Sequence, residues 1–138
     1  MWIGTNDLGY AAFIQDAQVE GTNIVNYTDC VYSELQKVYA NGGRYFVILN
    51  VAPLNLAPIY ALPPYAVGDN QYWANKTGNY TEISGKMMEY VTLVNSIYEY
   101  RTPYAVEIAK NFPGADFAVF DVHGLVRKFS SAHYGEQS

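Results

Sequence analysis

Cysteine is nearly absent from this chain: Cys30 is the one thiol in 138 residues, so no internal disulfide can form. Charge is scarce as well, at 15% of residues, with 8 Lys plus Arg against 13 Asp plus Glu and a net charge of -5. Such a chain has no basic field for phosphates, which excludes nucleic-acid binding and adhesion to acidic membranes. Long apolar runs are missing too. The longest, from Tyr45 to Val51, falls far short of the ~20 residues a spanning helix needs, so no membrane partner is expected. No basic and apolar leader opens the chain.

Tyrosine fills the gap that charge leaves. The chain carries 14 Tyr and is 50% hydrophobic, so its surface relies on Tyr, Asn, Thr and Gly, a balance common in extracellular proteins that handle sugars. Its length suits one domain. Three Asn-x-Thr sequons, at Asn26, Asn75 and Asn79, would be used only on a secretory route. An extracellular location is expected, with any signal peptide upstream of Met1.

Residues 1–3 read as a strand stub that empties into Gly4-Thr5-Asn6-Asp7. Ile24, Tyr27, Val31, Leu35 and Val38 recur every three or four residues and predict a helix over about 23–41, closed by Gly42 and Gly43. Cys30 lies in that pattern and is expected to be a buried structural thiol. Residues 45–51 suit a strand buried on both faces. Residues 52–80, with Pro53, Pro58, Pro63 and Pro64, make a long loop without period, a candidate substrate-side wall. A second helix is predicted from near Glu82, with Ile83, Met87, Tyr90, Val91, Val94 and Tyr98 on one face and Pro103 kinking it or restarting it on a Thr102 cap. Residues 117–122 read as a further buried strand, and a helix is predicted from Gly124. This alternation predicts an α/β fold with parallel pairing and functional loops at the carboxyl ends of the strands.

The spot that carries chemistry is Gly4-Thr5-Asn6-Asp7. An Asn amide on a tight loop can donate to an oxygen that becomes negative, and glycine lets the backbone come close. The same residue types also make an ordinary turn. Asp121 and His123, two apart on one strand face, are either a dyad or a strand-end structural pair. His133 has no acid shortly before it and reads as a surface residue. Two His with scattered carboxylates lack metal-ligand spacing, and no glycine loop precedes a helix, so no metal or cofactor is expected. Tyr65, Tyr72, Trp73 and Tyr80 offer flat faces that either stack on sugar rings or pack the long loop onto the core.

Ile3-Gly4-Thr5-Asn6-Asp7-Leu8-Gly9 resembles the Gly-x-Asn-Asp block of the GDSL esterases and lipases, also called SGNH hydrolases. Leu35-Gln36-Lys37-Val38-Tyr39-Ala40-Asn41-Gly42-Gly43-Arg44-Tyr45-Phe46-Val47 is similar to that family's helix, glycine turn and strand. Val51-Ala52-Pro53-Leu54-Asn55-Leu56-Ala57-Pro58 resembles its proline-rich loop. Phe112-Pro113-Gly114-Ala115 and Phe120-Asp121-Val122 continue the likeness, which covers most of the chain and is closest to fungal carbohydrate esterases that remove acetyl groups.

The resemblance implies part of a three-layer α/β/α, flavodoxin-like fold with a parallel sheet, residues 1–138 being the central portion of one domain. It implies that Asn6 donates its side-chain amide to the oxyanion, that Gly4 gives the tight approach and that Asp7 fixes the loop. The family's nucleophile lies in Gly-Asp-Ser-Leu and its base and acid in Asp-x-x-His. Here no Ser follows Gly-Asp, and Asp121-Val122-His123 is one residue short. The expectation is a fragment of a secreted serine esterase acting on a small-molecule or oligosaccharide acetyl ester, nearly inactive by itself. The alternative is a non-catalytic carbohydrate-binding protein that uses Tyr65, Tyr72 and Trp73.

Overall fold

The computed structural model describes residues 1–76 and 78–135. The first helix, α1 (Ile24–Ala40), starts where the sequence supplies a reciprocal cap. Asn23 Oδ1 accepts from the N–H groups of Val25 and Asn26, and Asn26 Oδ1 accepts from the Asn23 N–H at 3.0 Å, which satisfies three of the donors a helix start leaves open. Ile24, Tyr27, Val31 and Leu35 form its buried stripe. Gly42, at φ +96°, turns the chain out of the helix, a conformation glycine adopts without strain. Cys30 is exposed, not buried as its place in the pattern suggested. It precedes Val31 by one residue, which rotates it about 100° off the stripe.

Strand β1 (Tyr45–Leu49) pairs in parallel with β2 (Asp116–Phe120), Tyr45 opposite Asp116 and Leu49 opposite Phe120. Residues 1–3 are not a regular strand. Even so, the Leu49 N–H donates to Met1 O at 2.9 Å and the Met1 amino group donates to Val47 O. Two bonds that flank Ile48 in this way form one rung of a parallel ladder. The stub therefore extends the sheet on the far side of β1 from β2.

Burial on both strand faces does not occur. Phe46 and Ile48 are buried, while Tyr45 is 86% and Val47 48% exposed. The cause is a layer present on one side only: Phe46 and Ile48 join a single core with the buried residues of α1 and of the second long helix, whereas Tyr45, Val47 and Phe120 stay open.

That second helix, α2 (Tyr80–Pro103), begins on Asn79, whose Oδ1 accepts from the Thr81 N–H at 2.9 Å. Met87, Val91, Val94 and Tyr98 are its buried row. Pro103 does not restart it on a new cap: α2 ends at Pro103 and passes directly into a π turn over Tyr104–Ile108. Thr102 is no cap, because its hydroxyl donates back to Tyr98 O at 2.6 Å. Asn95 on α2 grips the exit of β1, accepting from the Val51 N–H at 2.8 Å and donating to Val51 O at 2.9 Å. The last helix, α3 (Val122–Gly135), keeps Leu125, Val126 and Phe129 exposed. The whole is a partial α/β fold in which α1 and α2 share a core with one face of a parallel two-stranded sheet.

Candidate functional site

Because residues 1–3 run parallel to β1, Gly4 falls at the same edge of the sheet as Asn50 and Asp121, which follow the carboxyl ends of β1 and β2. Ligand-binding groups of parallel sheets gather at that edge. Gly4 is buried with φ +98°, and an ideal Cβ on it would stand 1.6 Å from Tyr27 Oη. A side chain is thus excluded twice, by backbone conformation and by space. The chain then closes a 3-10 turn over Asn6–Leu8, with the Asp7 N–H donating to Gly4 O and the Gly9 N–H to Asn6 O, both at 3.1 Å. Leu8 is fully buried and pins the turn, while Asn6 and Asp7 face outward. Among the described residues neither the Asn6 amide nor the Asp7 carboxylate is spent on a side-chain hydrogen bond. Asp7 therefore does not fix the loop.

Tyrosines do. Tyr27 Oη donates to Ile3 O at 3.3 Å and lies 3.3 Å from Tyr98 Oη. Burial pushes the Tyr98 phenol well above its ordinary range, and the bond to Tyr27 adds to this. Tyr27 is raised too, chiefly by burial, so both hydroxyls stay neutral hydrogen-bonding groups. Between this turn and α1 lies an apolar cleft of about 450 Å³ whose walls include Gly4, Asp7, Phe13, Tyr27, Cys30 and Val31.

A second cavity, of about 480 Å³, opens beside Asn50, Asn95, Glu99, Asp121 and His123. Asp121 is a helix cap here, not half of a dyad. Its Oδ1 accepts from Asn50 Nδ2 at 2.8 Å and from the Gly124 N–H at 2.9 Å, and Asn50 Oδ1 in turn accepts from the His123 N–H at 2.8 Å. Since α3 begins at Val122 rather than Gly124, His123 lies in a helical turn, where the strand rule for i and i+2 does not apply. The side chain of His133 lies outside the described residues.

The Gly124 N–H first, then the Asn50 amide, hold the Asp121 carboxyl below its usual range. A depressed carboxyl stabilises the fold above its unfolded pKa of about 4, and that contribution is lost as pH falls through the folded value. Helical circular dichroism is expected to drop below about pH 4 in the wild type, with a smaller acid-side change in Asp121→Ala. An identical acid profile in the variant would contradict this.

The loop aromatics divide. Trp73 is 4% exposed, its ring 5.3 Å from that of Tyr10 and 6.1 Å from that of Tyr60, so packing occupies it. Tyr72 and Tyr65 are exposed at 71% and 53%. Lys76 Nζ sits 4.6 Å over the Tyr80 ring and donates to Ile59 O and Val67 O, tying the loop to itself. Of the sequon residues, Asn26 and Asn79 are exposed and use Oδ1 for capping, which leaves Nδ2, the atom a glycan takes, out of those bonds. Asn75 is exposed at φ +55°, but its partner Thr77 lies outside the described residues.

Set beside known proteins, the chain is 44% identical over 128 residues to the protein named Acetylesterase from Hypocrea jecorina. The match takes in 91% of this chain but 37% of that relative's length. The chain thus spans about a third of the curated relative it matches. No family model matches.

Among the described residues, no group of three or more His, Cys, Asp or Glu could hold a metal ion, and no helix is long and apolar enough to cross a membrane. The turn holding Gly4 and Asn6 was legible before the structure. Tyr27, Tyr60, Tyr98 and Asn50 were not, because two tyrosines looked like apolar members of helix stripes and nothing periodic marked the others.

Proposed function

We propose that this chain is the central part of a secreted serine esterase of the GDSL type that hydrolyses small acyl esters, acetyl groups on carbohydrates in particular. The reading is carried by the 44% identity to an acetylesterase along nearly the whole chain. The place of Gly4 and Asn6 at the carboxyl edge of the sheet supports the role given to them. The exposed rings of Tyr72 and Tyr65 are suited to lie against a sugar.

In acyl transfer a serine hydroxyl attacks the ester carbonyl, whose oxygen takes up negative charge before the alcohol leaves and water releases the acid. Asn6 is the residue to donate a hydrogen bond to that oxygen. Its amide is exposed and uncommitted, and the turn behind it is rigidly backed, so little reorganisation is needed when charge develops. The nucleophile and the acid–histidine pair belong to sequence outside these 138 residues.

Asn6→Ala in the complete esterase is expected to lower kcat for 4-nitrophenyl acetate about a hundred- to thousandfold with KM little changed. An unchanged kcat would overturn the assignment. Stability should stay within about 0.5 kcal/mol, because the side chain is exposed and touches nothing it must release.

A further inference from the structure

The turn over residues 4–9 has a glycine at each end, and each glycine faces a tyrosine hydroxyl. A Cβ on Gly4 would meet Tyr27 Oη at 1.6 Å, and one on Gly9 would meet Tyr60 Oη at 2.4 Å. Neither hydroxyl can swing aside at little cost. Tyr27 Oη is engaged with Ile3 O and Tyr98 Oη, while Tyr60 Oη accepts from the Tyr10 N–H at 3.1 Å with the Trp73 ring alongside. We propose that Tyr27 and Tyr60 are positioning residues that clamp this turn from its two ends and so set the place of Asn6, an inference that rests on reading Asn6 as the oxyanion donor.

The clamp joins three parts of the chain that are far apart in sequence. Tyr27 comes from α1 and is backed by Tyr98 of α2, whereas Tyr60 comes from the loop between β1 and α2. Between the clamped ends, the turn has two backbone hydrogen bonds and the buried Leu8. Its outer residues, Asn6 and Asp7, have no other support among the described residues. Trp73, whose ring could serve either a sugar or the core, is buried as the wall behind Tyr60. The long loop therefore acts on the turn through a side chain that no motif marks.

Hydrogen exchange and amide relaxation of this chain by NMR test the clamp. In Tyr27→Phe the Asp7 amide, and in Tyr60→Phe the Gly9 and Tyr10 amides, are expected to exchange about three- to tenfold faster, the factor that one lost hydrogen bond gives. The Asn6 side-chain amide should gain fast motion in both, while Leu49 and Asn50 in the sheet keep their wild-type exchange. Tyr98→Phe should act like Tyr27→Phe but more weakly. Tyr32→Phe, whose hydroxyl bonds Thr102 Oγ1 instead, should leave the turn unchanged.

Three results would overturn the proposal: unchanged exchange in the turn, acceleration spread evenly into the sheet, or loss of cooperative unfolding in both clamp variants. The last would make the hydroxyls determinants of the fold. Failure of the oxyanion reading looks different, since Asn6→Ala would then leave kcat intact while the clamp variants still loosen the turn.

Discussion

Turnover of 4-nitrophenyl acetate by the isolated 138-residue chain is expected to be indistinguishable from buffer. Removing triad members costs about a millionfold in rate because they act as a unit, and an oxyanion donor without a nucleophile has no intermediate to stabilise. No Ser follows Gly-Asp in this sequence. The nearest Asp and His to a pair, Asp121 and His123, are not hydrogen-bonded to each other: Asp121 Oδ1 accepts from Asn50 Nδ2 and the Gly124 N–H, and the His123 Nδ1 has no partner among the described residues. Turnover clearly above buffer that Asn6→Ala abolishes would mean that the chain holds its own nucleophile.

The second large effect is on stability. Gly4→Ala is expected to destabilise the chain by about 3 kcal/mol, the sum of the left-handed backbone penalty for a residue with Cβ and the strain of overpacking. Alanine would have to leave φ +98° or drive Tyr27 from its place against Ile3 O and Tyr98. Either response breaks the turn that carries Asn6. Chemical denaturation of both proteins measured side by side checks this, and a variant within about 0.5 kcal/mol of the wild type would show that the turn tolerates a side chain. Gly42 gives the contrast. Its φ is +96° but nothing lies within 4 Å of a Cβ there, so Gly42→Ala should cost only the backbone share, about 1 kcal/mol.

Both long helices were legible because each repeats an apolar residue at helical spacing over several turns and begins on an Asn cap, which local chemistry fixes without help from the rest of the fold. The strands were legible as strands but not in their burial. Val47 looks like a residue covered on its face, yet coverage depends on a second helical layer that the described residues do not form. Cys30 failed for a simpler reason: among apolar neighbours, its angle around α1 mattered more than its company. Asp121, three residues before Gly124 and directly before Val122, was a readable cap signal taken for part of a strand.

At the candidate site, the turn itself was legible in the sequence and the side chains that hold it were not. Asn6 and Gly4 stand in a recognisable block. Tyr27 and Tyr60 reach the block across long stretches of chain, and such contacts leave no local trace. Tyrosine on a helix stripe reads as apolar packing, and only the fold shows where its hydroxyl goes. Trp73 belongs with them, since an aromatic ring in a polar loop offers itself equally to a ligand or to a core.

The most direct test of the account is the transcript that encodes these residues, read through both ends of the chain. The predicted result is an open frame with Gly-Asp-Ser-Leu before Met1 and Asp-x-x-His after Ser138. Stop codons closing the frame at both ends, with neither block encoded, would contradict it.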